Sequence, residues 1–200
     1  MMVLIRTLFA FLVLLSVAGC ELREARPITQ VDLDAVSNPT VIEKSLIDQA
    51  FQFTLRNNRL LEAHALEVGR PLSPQGIKLA RSLGVRNPEK VRIVIVKKIP
   101  KTNTAERIIQ ATPLVNPGTV IAGLAAGYGI FLAEGYGDKI WVLAHELVHT
   151  AQFERYGMEE MTRRYLTESV VLRDRLIPLE REAINKSADV LGIDPVPYAF

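Results

Sequence analysis

Apolar positions change their period several times along this chain. In TVIEKSLIDQAFQFTLRNNRLLEAHALEVG, residues Ile42, Leu46, Ala50, Phe53, Leu60 and Leu61 recur at helical spacings, and Gly69 closes the segment. The pattern predicts an amphipathic helix with those positions as its apolar face. SPQGIKLARSLG reads as a short helix that stops at Gly84. VRIVIV, residues 91–96, is β-branched and continuous, which predicts a strand. GTVIAGLAAGYGIFLAEG, residues 118–135, is the most apolar internal stretch, but it is glycine-interrupted and too short to cross a bilayer. Two strands, about 119–124 and 128–133, are expected there, turning near Gly127. A helix from about 139 to 156 follows, stopped by Gly157, and then a further helix in MEEMTRRYLTESVVLRD. The last helix begins near Pro178, a favoured first position, and runs to about Leu191 before Gly192. The expected class is α+β: a small mixed sheet packed on the 139–156 helix, with further helices before and after.

The N-terminus follows a different logic. MMVLIRTLFAFLVLLSVAGC carries Arg6, an apolar run from Leu8 to Val17, and then small residues. That is the pattern of a secretory signal over residues 1–19, too short for a spanning helix. VAGC, Val17 to Cys20, resembles the lipobox of bacterial lipoproteins, which implies lipidation of the Cys20 thiol and cleavage just before it. Cys20 is the one cysteine in the sequence. A lone thiol in an exported protein would otherwise be liable to mispair, so lipidation accounts for both its position and its solitude. The same count excludes structural disulfides and a zinc site built on thiolates. Residues 20–39 are polar, contain Pro27 and Pro39, and are expected to tether the lipid to a domain spanning 40–200. By the same resemblance, Glu21 after the cysteine favours the outer membrane, facing the periplasm.

Composition adds little. Hydrophobic residues make up 48% of 200, enough for the core of a single domain. The net charge is +2, and the densest basic patch, KKIPK at 97–101, reads as a solvated loop end, so no nucleic-acid partner is expected.

The chemistry concentrates in WVLAHELVHTAQFERYG, residues 141–157. On a helix, His145 and His149 lie on one face a turn apart, where both imidazoles can reach one zinc ion at about 2.0–2.1 Å. Glu146, one step round, can hold a water at the metal and take its proton during attack on a carbonyl. Val142, Leu143, Ala144, Leu147, Val148 and Ala151 make most of the rest of this helix apolar, which predicts burial. Burying two histidines and a glutamate without partners costs several kcal/mol, and a bound cation removes that problem. His64, alone among alanines and leucines, reads as a satisfied or surface histidine rather than a ligand.

With HELVH as its sharp part, the chain resembles the zincin metallopeptidases over about 118–189. In zincins a strand precedes the HExxH helix and its edge binds the substrate backbone; YGIFLA, 128–133, stands in that position. The metzincin pattern HExxHxxGxxH is excluded, because Gln152 and Arg155 hold its glycine and third histidine positions. The gluzincin branch takes its third ligand from a later helix, often in a pattern like ExxAD. PLEREAIN matches with Glu180 and Ala183, while Ile184 stands at the aspartate position, which leaves a ligand histidine without that carboxylate partner. The resemblance implies a zincin-like fold and Zn2+ held by His145, His149 and Glu180, with Glu182 the alternative third ligand. It implies Glu146 as general base. Gln152 is placed to orient a histidine or line the cleft, and Tyr156 or Tyr165 to donate a hydrogen bond to the oxyanion. The expected function is a zinc metallopeptidase that cuts a peptide or protein substrate in the cell envelope, membrane-held through Cys20. The alternative is a non-catalytic zinc-stabilised lipoprotein that binds an envelope partner. The two differ at the fourth coordination position, open in a catalytic site and closed in a structural one.

Overall fold

A computed structural model of the chain describes residues 28–99, 121–172 and 177–195. The signal stretch, Cys20, the start of the tether and the first residues of the 118–135 stretch lie outside the described residues. Helices α1 (Gln30–Ser37) and α2 (Val41–Val68) lead into β1 (Arg70–Pro71), α3 (Pro74–Ser82) and β2 (Arg92–Val96). Strands β3 (Gly123–Ala126) and β4 (Gly129–Ala133) follow, then α4 (Ile140–Leu172) and α5 (Pro178–Leu191). Among the described residues this is a mixed α+β architecture of five α-helices and a four-stranded sheet, and no helix is long and apolar enough to cross a membrane.

Residues 30–37, expected in the tether, are helical. The backbone N–H and hydroxyl of Thr29 both donate to Asp32 at 2.7 Å, closing the first turn. Ile28 and Val36 pack on Met161, Leu172, Ile177 and Leu179. Polar composition hid a short helix that seats Val36, with Ile28 just before it, on an apolar cluster. A capping box starts α2: Thr40 N–H donates to Glu43 Oε2 at 2.8 Å, and Glu43 N–H returns a bond to the Thr40 hydroxyl at 3.3 Å. The extent of α2 is as expected, but its buried face is not. Ile47, Ala50, Phe51, Leu55 and Ala65 face inward, whereas Ile42, Leu46, Phe53 and Leu60 are exposed, Ile42 by 72%. Two apolar stripes run along this helix. The inward one is selected by Leu166 and Val170, which pack on Ile47, Ala50, Phe51 and Leu55.

The sheet order is β1-β2-β4-β3. β2 and β4 run parallel, from Arg92 opposite Gly129 to Val96 opposite Ala133, while β3 lies antiparallel to β4. All five residues of β4 are buried, as expected of a strand covered on both faces. The expectation that the 128–133 strand offers a free edge is therefore corrected: β4 is paired on both sides, and β3 is the outer strand on that side of the sheet. The turn between them needs Gly127. Its φ is +58°, and a Cβ there would collide with the Glu62 carboxylate, which accepts the Tyr128 N–H at 2.9 Å. The main core joins Leu83, Val85 and Val91 to Ile130 and Leu132 of β4, Val142, Leu147 and Val148 of α4, and Ala183 of α5. At Gly157 (φ 79°, ψ 160°) α4 leaves helical geometry, which divides it into two arms.

Candidate metal centre

The first arm of α4 is buried through Ala144 to Thr150, because the sheet covers it and α5 packs beside it. His145 and Glu146 are 2% and 3% exposed, and His149 is 8% exposed. Glu180 arrives from the first turn of α5, just after Pro178. The arm of α4 beyond Gly157 fixes that turn. Ile177 offers no side-chain cap, and Glu168 substitutes from outside, accepting the Leu179 N–H at 3.0 Å. The Tyr165 phenol lies beside Glu180. The Tyr165 side chain as a whole is 40% exposed, but desolvation of its hydroxyl, together with the Glu180 and Glu146 carboxylates, holds the phenol above its ordinary range, so it remains a donor.

Three side chains converge. His145 Nε2 lies 3.0 Å from His149 Nε2 and 3.1 Å from Glu180 Oε2, and His149 Nε2 lies 3.3 Å from the same oxygen. Ligands about 2.0–2.1 Å from a tetrahedral zinc stand roughly 3.3–3.4 Å apart, so this triangle needs only a small expansion to hold one. Two imidazoles and a carboxylate are also a borderline donor set suited to such a cation. Among the described residues this is the one cluster of its kind. Its field favours a positive charge. Burial alone would lower His149, but the Glu180 carboxylate beside it holds it raised, at about 9. Burial would raise Glu180; both histidines oppose this and hold it well below the usual carboxylate range.

Glu146 stands next to the cluster, against the sheet edge. A Cβ on Gly123 would come within 2.6 Å of Glu146 Oε1, so the carboxylate occupies the space that glycine leaves open. The outward backbone of Ala125 lies beside it and favours the charged carboxylate. The register explains why that group is available. Ala133 N–H bonds Ala122 O at 2.9 Å, so alternate residues Gly123 and Ala125 turn their backbone groups outward. Burial raises the Glu146 carboxyl against the lowering influence of His145 and His149.

Comparison with family models, with curated proteins and with solved structures finds no match to this chain.

Of the two candidate carboxylates, the structure brings Glu180 to the histidines. Glu182 turns away and takes two bonds from Arg155, at 2.9 and 2.5 Å. Gln152 bonds His149 Nδ1 at 2.8 Å. Tyr165 reaches Glu180, whereas Tyr156 lies between Arg155 and Arg164, whose guanidinium carbons stand 4.6 and 4.3 Å from its ring centre. His64 stacks on Phe131 at 6.4 Å and takes no part in the cluster. Sequence reasoning missed Glu168. Nothing local marks an acid whose partner, Leu179, lies at the start of the next helix.

Proposed function

We propose that this protein is a metallopeptidase of the zincin type, held in the cell envelope by a lipid on Cys20. The observation that carries the reading is the convergence of His145, His149 and Glu180 within hydrogen-bonding distance of one another, beside a buried Glu146. A divalent cation held by those three residues would supply Lewis acidity toward a peptide carbonyl and its attacking water. The chain's own groups would do the rest. Glu146, its basicity raised by burial, would take the proton from the water and pass it to the leaving amine. An extended substrate would add to the outward backbone groups of β3, next to Glu146. Tyr165 would hold Glu180 in place. The alternative, a non-catalytic lipoprotein that keeps a metal for structure, draws on the depth at which His145 and Glu146 are buried.

One experiment separates them. The purified protein, loaded with zinc, is assayed for metal content and for turnover of a peptide library, beside Glu146→Gln. The reading expects one bound zinc in both forms and a rate reduced roughly 10²–10⁴-fold in the variant, as for a lost general base. Zinc without turnover in the wild type supports the alternative, and no zinc uptake overturns both. Cys20→Ser should move the protein out of the detergent-extracted membrane fraction; continued lipid labelling would refute the anchor.

A further inference from the structure

Gln152 is fully buried, and each end of its amide has a partner. The Nε2 end lies 2.9 Å from the Leu179 carbonyl oxygen and 3.1 Å from Glu182 Oε2. Both partners only accept, so the nitrogen must face them; a flipped amide would set oxygen against oxygen. Oε1 is left to His149 Nδ1, at 2.8 Å. An amide oxygen also only accepts, so Nδ1 carries the proton. In the neutral ring Nε2 is then bare, with its lone pair available toward His145 Nε2 and Glu180 Oε2 at 3.0 and 3.3 Å. Arg155 fixes the far end of this chain through its two bonds to Glu182.

We infer that Arg155, Glu182 and Gln152 form a positioning relay that sets the tautomer and ring angle of His149, and so its strength as a metal ligand. This rests on the metal-site reading above. It fills the gap left by Ile184, which stands where a carboxylate partner for a histidine was expected. One turn of α5 therefore has two duties. Glu180 joins the cluster directly, and Glu182, about 200° round the helix, anchors the residue that orients His149. The amide transmits direction without a second negative charge beside Glu180. The relay also ties the cluster to the docking of α5, because the Leu179 carbonyl is one of its acceptors.

The test uses the whole protein and two readouts. Zinc affinity is measured by competition with a chromophoric chelator. Long-range proton–nitrogen NMR reports the His149 ring, in the metal-free and zinc-loaded forms. Gln152→Leu should weaken zinc roughly 10–100-fold, the usual effect of losing a ligand's hydrogen-bond partner, and should abolish the slow exchange of the His149 Nδ1 proton. Glu182→Gln keeps an acceptor for Gln152 but loses the ion pair. Its affinity should fall between wild type and Glu182→Ala, with the tautomer preserved. Gln152→Leu that folds, keeps zinc within about twofold and retains the protected proton overturns the relay. If Gln152→Leu does not fold, identical affinities for wild type, Glu182→Gln and Glu182→Ala overturn it. A wild type that takes up no zinc overturns the metal-site reading and the tuning role with it. The Nδ1 proton in the metal-free protein then shows separately whether the hydrogen-bonded chain exists.

Discussion

Two polar clusters sit on the first arm of α4, one part-buried around Glu154 and one buried around His145 and His149, and they are built on opposite principles. Glu154 is surrounded by donors: the Arg86 N–H at 2.6 Å, the Asn87 N–H at 2.9 Å, the Asn87 side-chain amide at 3.0 Å and the Tyr128 hydroxyl at 2.9 Å. Burial alone would raise its carboxyl, but these bonds hold it lowered. That cluster locks the end of the arm to the approach to β2 and to the β3–β4 turn. At the other cluster, His145, His149 and Glu180 turn ring nitrogens and a carboxylate oxygen toward one another. Where each lone pair meets a donor, the cluster is a strut. Where acceptors converge, their mutual repulsion is relieved by a proton or a cation. The ratio of donors to acceptors, more than burial or charge, separates the structural cluster from the candidate functional one.

The largest effect should come from removing an acceptor from the convergent cluster. Glu180→Ala should reduce zinc affinity by more than the roughly 100-fold seen at most for a second-layer partner. It should also abolish the rise in melting temperature expected when zinc is added to the wild type. Glu182→Ala should weaken zinc less, through Gln152. Zinc titration with thermal melts checks both, and a Glu180→Ala protein with wild-type affinity would end the distinction between the clusters.

Breaking the strut should have the converse signature. Glu154→Ala removes the shared acceptor of part-buried groups that water can reach in its place, at about 1 kcal/mol of stability, while zinc affinity stays within about twofold. Urea denaturation and the same titration test this. A large loss of metal would mean that the two clusters act as one.

Glu168 lies between the extremes and sharpens the comparison. One backbone donor, the Leu179 N–H, reaches it, so burial prevails and pushes its carboxyl up to about 7 from its ordinary 4.5. A carboxyl raised in the folded state holds its proton more tightly there than in the unfolded chain. Its contribution to stability is complete below about 4.5 and is lost as pH rises through about 7. Metal-free protein should therefore lose roughly 1–2 kcal/mol across that window, the effect damped by water near the carboxylate. Glu168→Gln, which keeps an oxygen for Leu179, should flatten the profile. An unchanged slope in the variant would assign the pH dependence elsewhere.

Much of the candidate centre was legible because its rules are local. His145 and His149 share a face by helical period alone, and the apolar residues around them announced burial. The start of α5 at Pro178 and its end before Gly192 follow from one missing N–H and one left-handed glycine (φ 64°). The phase of α2 was not legible. Ile42, Leu46, Phe53 and Leu60 make as regular a stripe as Ile47, Phe51 and Leu55, and only contact with Leu166 and Val170 distinguishes them. The free edge of the sheet was misplaced for a similar reason. Order in a sheet is set by which strands pair, and the parallel pairing of β2 with β4 encloses the strand that chain order placed next to the helix.

Sequence by itself determined which residues could share a helix face, because each step along an α-helix turns about 100° whatever surrounds it. It therefore paired His145 with His149, set Glu146 beside them, and placed Glu180 and Glu182 on different sides of α5. Tertiary structure alone decided which of those two acids meets the histidines. That choice depends on how α5 rotates about its axis as Leu179, Ala183 and Ile184 are buried and Glu168 takes the Leu179 N–H. Such a rotation is the sum of many weak contacts between residues far apart in the chain, and no short stretch of sequence contains it.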